Sequence, residues 1–141
     1  MRIQEKQVLV DLARQRPTQI EIIDRVLNAT EWAVLLERCD LLVAPYDAKI
    51  YSTCPSGIAL ESIANGIPLV MTKGTGMDPI FARHVMPARQ VEDYSVAGFV
   101  KGIEDVLGHY SDVFEGAQRA RVSWERENGP GRMANAILFS N

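Results

Sequence analysis

The chain has 141 residues, of which 47% are hydrophobic and 23% charged, and its formal net charge is -3. That length and balance suit one soluble globular domain with a real core. They exclude a dedicated nucleic-acid binder, which carries a basic stripe, and no apolar run reaches the ~18 residues of a membrane-spanning helix. The opening "MRIQEKQVLVDLARQ" lacks the continuous apolar stretch and small-residue cleavage site of a signal peptide, so a cytoplasmic location is expected. Cys39 and Cys54 show neither CxxC nor zinc spacing. They read as reduced, buried thiols, and no metal is expected.

Taken in order, Val8, Leu9, Leu12 and Ala13 at helical spacing predict a helix over 5–15, which Pro17 ends. The alternation in "QIEIIDRV" predicts a strand over 19–26. Asn28 to Thr30 offer caps for a helix running to Cys39, with Glu31 in its first turn. "DLLVAPY", 40–46, reads as a strand buried on both faces and closed by Pro45. A loop, 47–54, leads to a helix that starts at Ser56-Gly57 and stops at Asn65-Gly66. "IPLVMT", 67–72, is a second buried strand, followed by a glycine-rich loop, Lys73-Gly74-Thr75-Gly76-Met77-Asp78. Beyond it come a short helix from about Pro79, an ambiguous stretch over 85–91, helices near 94–108 and 111–127, and a last helix after Gly129-Pro130-Gly131.

Strands alternating with helices mean an α/β fold with a parallel, Rossmann-like sheet flanked by helices. Ligands of such sheets sit beyond the carboxyl ends of the strands, where loops enter helices. The helix beginning at Ser56 starts at such a place. Stepping about 100° per residue, Ala59, Leu60, Ile63 and Ala64 share a core-facing arc, while Gly57 and Glu61 lie side by side just outside it. The bare Gly57 opens the first-turn N–H groups to an anion. Glu61, about 6 Å further along, is placed to accept from hydroxyls attached to that anion. A diphosphate joined to a ribose has this layout. Small residues at a helix start and a solvated glutamate on its margin account for the same pattern without a ligand.

Residues 35–77 resemble the donor-binding half of nucleotide-sugar glycosyltransferases of the GT-B fold. They are most similar to the large retaining group with two glutamates at fixed spacing, then Gly-x-Pro and a valine-rich strand. One branch of that group carries Pro-Tyr-Asp, Tyr and Ser-Gly ahead of the second glutamate. This chain has Pro45-Tyr46-Asp47, Tyr51, Ser56-Gly57 and Glu61 at that spacing, followed by Gly66, Pro68 and Val70. The resemblance implies that Glu61 holds the donor ribose and that Ser56 and Gly57 meet the diphosphate. The substrate is then a nucleotide-diphosphate sugar, transferred with retention to a glycan or lipid-linked acceptor, with no further cofactor. The match is imperfect. The family's first glutamate falls at Thr53, its phosphate-binding Arg and Lys have no counterpart, and its acceptor-binding N-terminal domain is not matched. The resemblance thus implies one domain over 1–141, an incomplete GT-B C-terminal domain with little activity alone. If 20–26 is the family's third strand, a sheet ordered 3-2-1-4-5-6 has two strands missing from its middle. Open edges there favour self-association or another chain as partner.

Lys73, Gly74 and Thr75 follow the second buried strand and can contact donor sugar or phosphate, or simply form a turn. Tyr46 and Tyr51 can stack on the donor or pack their loop. His84 and His109 have no acidic or cysteine partner at ligand spacing and read as satisfied or surface residues. Trp32 and Trp124 read as helix packing, and the absence of Asp-x-Asp disfavours a metal-dependent sugar transferase. The glycine-rich turn of a dinucleotide-binding oxidoreductase is missing. Of the clustered aspartates of a phosphate-transfer switch, only Asp47 is suitably placed. A non-catalytic, oligomerising remnant of a glycosyltransferase has the same sequence features and remains the rival reading.

Overall fold

The structure, a computed structural model, describes residues 3–129. The helix expected after Gly129 lies outside the described residues. The chain divides into two compact units, the first ending at Leu35 and the second beginning at Leu36.

The first unit holds α1 (Ile3–Gln15) and most of α2 (Ala29–Glu37). Between them there is no strand, which corrects the expectation for 19–26. Ile22, Ile23 and Val26 in that segment are exposed. Alternation and β-branched residues describe a chain that fits a sheet, but a strand exists only where a neighbour supplies the ladder. The inferred third strand, and the mid-sheet gap argued from it, fall with it. The start of α2 follows its sequence signals. Asn28 Oδ1 accepts from the Glu31 amide at 2.9 Å while Glu31 Oε2 accepts from the Asn28 amide at 2.9 Å, a reciprocal capping box. Arg25 donates to the same carboxylate at 2.8 Å.

The second unit is an α/β layer structure around a three-stranded parallel sheet, ordered β1 (Leu42–Ala44), β2 (Leu69–Thr72), β3 (Arg89–Val91). Leu42 lies opposite Leu69, and Val70 opposite Arg89, each pair opening a three-residue parallel register. Between β1 and β2 run α3 (Ala48–Tyr51) and α4 (Gly57–Asn65). Between β2 and β3 runs α5 (Asp78–His84), and α6 (Val96–Gly108) and α7 (Tyr110–Asn128) follow. The expected loop 47–54 thus contains one helical turn, started by Asp47, whose carboxylate accepts from the Lys49 amide at 2.9 Å.

Alternation along β2 sorts the core into two layers. Leu69 and Met71 face α4, α5 and α7, where Ala59, Ile63, Met77, Phe81 and Ala117 complete a buried cluster. Val70 faces the other way, packing with Val91 and Val106, with Phe99 and Ile103 of α6 against them. All four residues of β2 are buried, as the unbroken apolar run "IPLVM" that leads through it requires of a central parallel strand. The ambiguous stretch 85–91 resolves at Val85, which ends α5 in the left-handed region at φ 52°. A β-branched residue there is unfavourable, and the sequence offers no glycine or asparagine to announce the stop. His84 is buried beside Trp124 and within 3.1 Å of Ser123 Oγ, a satisfied core histidine. No helix among the described residues is long and apolar enough to cross a membrane.

Candidate functional site

Because the three strands are parallel, their carboxyl ends open on one side. There β1 runs into Pro45-Tyr46-Asp47, β2 into Lys73-Gly74-Thr75, and β3 into Glu92-Asp93. The residues predicted for the site lie on these loops, on α3 and at the start of α4, with Glu61 one turn further along α4.

At the start of α4, Ser56 is the cap. Its backbone is extended and its Oγ accepts from the Ala59 amide at 3.2 Å. The hydroxyl is therefore committed to the helix, and Ser56 is buried. That bond and the Leu60 amide to the Ser56 carbonyl leave the Gly57 and Ile58 amides as the open donors of the first turn. Gly57 is exposed, and a Cβ built on it meets nothing within 4 Å. Packing does not demand glycine here. Its effect is to keep the ground above the two amides clear.

Glu61 sits one turn further, half-buried on the helix margin. Its Oε2 accepts from Asn65 Nδ2 at 3.1 Å, which orients the carboxylate along the helix and leaves acceptor capacity on both oxygens. The core face of α4 is rotated from the expected one. Ala59, Ser62 and Ile63 are its fully buried residues, whereas Leu60 and Ala64 are at the margin. Ser62 tolerates the centre because its hydroxyl donates to the Ile67 carbonyl at 2.6 Å, tying the end of α4 to the approach of β2. Gly66 closes α4 in the left-handed region at φ 67°, as the Asn-Gly signal predicts.

The β2–α5 loop is a built structure rather than a loose turn. Gly74 is left-handed at φ 79°, and its amide donates to Asp78 Oδ2 at 2.9 Å. Asp78 Oδ1 also accepts from Gln90 of β3 at 2.8 Å, with the buried Thr75 hydroxyl at 3.4 Å. Thr75 is thus spent on its own loop. The Gly76 amide donates to the Tyr51 carbonyl at 3.0 Å, and a Cβ on Gly76 would stand 3.0 Å from the Cys54 backbone. These contacts seat the loop against the segment that leads into Ser56. Tyr51 and Tyr46 pack against each other, with ring centroids 4.6 Å apart. Neither cysteine is buried, contrary to expectation: Cys39 is intermediate and Cys54 exposed, because what packs at Cys54 is its backbone.

Lys73 does not reach into open space. Its Nζ lies 2.6 Å from Glu92 Oε1, and both side chains are exposed. The hydrogen bond, then the charge, of each partner holds the Lys73 ammonium above its ordinary value and the Glu92 carboxyl below its own. The pairing follows from register: Thr72 is opposite Val91, so the next residues, Lys73 and Glu92, leave their strands side by side.

Sequence reasoning missed Asn65, Asp78 and Glu92. An aspartate followed by proline after a glycine-rich loop is a helix-start signal that would have found Asp78. Nothing local marks Glu92, whose role depends on β3 and its register. Thr72 was missed too. It is buried at the end of β2 on the α6 side, and its Oγ1 has no hydrogen-bond partner. Among the described residues no three His, Cys, Asp or Glu side chains gather as metal ligands.

The arrangement offers two open amides at a helix start, a carboxylate one turn on, and a tethered cation at the neighbouring strand end. That combination can hold an anion with a hydroxyl-bearing group behind it. Scanned against protein-family models, curated proteins and solved structures, the chain matches none.

Proposed function

We propose that this chain is the donor-binding half of a GT-B glycosyltransferase, which holds a nucleotide-diphosphate sugar at the carboxyl ends of its sheet. The observation that carries the reading is the clear ground above Gly57 with Glu61 one turn behind it. The diphosphate takes the Gly57 and Ile58 amides, where the helix dipole favours negative charge. The ribose diol donates to Glu61, which Asn65 holds in place. Tyr51 and the Lys73-Gly74-Thr75 loop flank the diphosphate and the sugar beyond it. The test is calorimetric titration with UDP, GDP and ADP and with the matching nucleosides. At least one diphosphate should bind well above its nucleoside. If no diphosphate binds, the assignment is wrong.

Transfer needs an acceptor site, and on this reading the chain alone transfers little sugar. Robust transfer by the 141-residue chain to an added acceptor would overturn that point. The rival, a non-catalytic oligomerising remnant, draws support from a different observation. Among the described residues, no strand neighbours the outer edge of β1, and an apolar groove of about 390 Å³ lies beside it, lined in part by Val43, Pro45, Val96, Phe99 and Val100. Edges of this kind seek partners. The remnant reading predicts self-association through this edge, so light scattering that finds only monomer at micromolar concentrations counts against it. Diphosphate binding separates donor site from remnant.

A further inference from the structure

Resting on the donor-site reading, we infer that Glu92 is a built-in competitor of the donor diphosphate, occupying Lys73 until phosphate displaces it. Lys73 is the cation that leaves the sheet at the carboxyl end of β2, at the base of the loop seated against the α3–α4 segment. In the free protein its charge is already satisfied by Glu92 at 2.6 Å. A phosphate drawn to the α4 amides competes for the same ammonium.

Three features make the exchange feasible. The ion pair is exposed, with side-chain accessibilities of 54% for Lys73 and 76% for Glu92, so water and salt screen it and little holds it shut. Lysine is a flexible stem with a mobile charge, able to turn from one oxyanion to another. Glu92 also has somewhere to go. It lines a depression of about 250 Å³ with the cations Arg89 and Lys101 and one further carboxylate, Asp93. Arg89 is paired with Asp105 at 2.6 Å, and its charge already acts on Glu92. The other charged group facing Lys73 is Asp78, whose carboxylate is held by Gly74 and Gln90 and stays with its loop. Glu92 therefore places a small cost on the binding of a phosphate to Lys73, on the scale of an exposed ion pair.

The test is a double-mutant cycle on Glu92→Gln and Lys73→Met, titrated calorimetrically with UDP, GDP, ADP and their nucleosides. Glu92→Gln should tighten the diphosphate that binds by roughly two- to fivefold, the scale of an exposed ion pair, and leave the nucleoside unchanged. Lys73→Met should weaken the diphosphate, and adding Glu92→Gln to it should bring no gain. In high salt the advantage of Glu92→Gln should shrink. If wild type binds diphosphate and Glu92→Gln binds it no better, the competitor role is refuted while the donor site stands. If Glu92→Gln tightens binding equally without Lys73, the gain is general electrostatics and the role is refuted. If neither wild type nor any variant binds a diphosphate, the site and the competitor fall together.

Discussion

The sharpest prediction concerns two positions one turn apart on α4, because the structure lets each be changed without disturbing the fold. Gly57→Val places a branched side chain where a Cβ meets nothing within 4 Å, so nothing in the protein is displaced. Gly57 is not in the left-handed region, and losing its unfolded-state freedom should leave stability unchanged or slightly higher, by less than about 1 kcal/mol. The valine methyls would nonetheless stand over the Gly57 and Ile58 amides and exclude phosphate. Glu61→Gln keeps the shape and the Asn65 contact but removes charge-assisted acceptance from the ribose. That should cost about 1.5–3 kcal/mol of binding, a ten- to hundredfold weaker Kd. The assay is calorimetry of four ligand–variant pairings. A nucleoside without phosphates should respond to Glu61→Gln and ignore Gly57→Val. A 2′,3′-dideoxy nucleoside diphosphate should do the reverse. If both ligands respond alike to both substitutions, Glu61 does not hold the ribose and is a solvated helix residue.

Two buried hydroxyls should respond with opposite signs. Ser62→Ala strands the Ile67 carbonyl and should lower stability by about 1–3 kcal/mol, whereas Thr72→Val removes an orphan hydroxyl at constant shape and should raise stability by about 1 kcal/mol. Urea denaturation decides, and a loss for Thr72→Val would mean that its hydroxyl has a partner in solution. Glu31, held below the ordinary glutamate range by its bonds to Arg25 and then Asn28, has a folded pKa beneath its unfolded one. Its support for the start of α2 is therefore complete above the ordinary carboxylate range and is lost as pH falls through the lowered value. Carboxyl chemical shifts followed by NMR should show that lowered midpoint, and Arg25→Ala should return it towards the ordinary glutamate range.

Much of this chain is written locally. The starts of α2, α4 and α6 carry their own caps in Asn28, Ser56 and Ser95, and α4 carries its own stop in Gly66. The partners of these hydrogen bonds are fixed by spacing a few positions along the chain, which is why these boundaries can be read in order. The unbroken apolar run of β2 likewise announces a strand covered on both faces, and the adjacency of Gly57 and Glu61 follows from the pitch of a helix. What needed tertiary structure is whatever depends on a partner distant in sequence. The segment 19–26 has the pattern of a strand and no ladder, and the sequence cannot say whether a neighbour is present. The stretch 85–91 hides β3 because α5 ends on a left-handed valine, a conformation tolerated only because the surrounding fold enforces it. Ser62 rather than Leu60 centres the core face of α4 because packing on β1 and α7 sets which side of the helix turns inward, and the Ile67 carbonyl then satisfies the buried hydroxyl. Lys73 reads as a free cation until the register of β2 and β3 sets Glu92 beside it, nineteen positions on. Local bonds are specified by spacing along the chain, and this one is specified only by how two strands lie together.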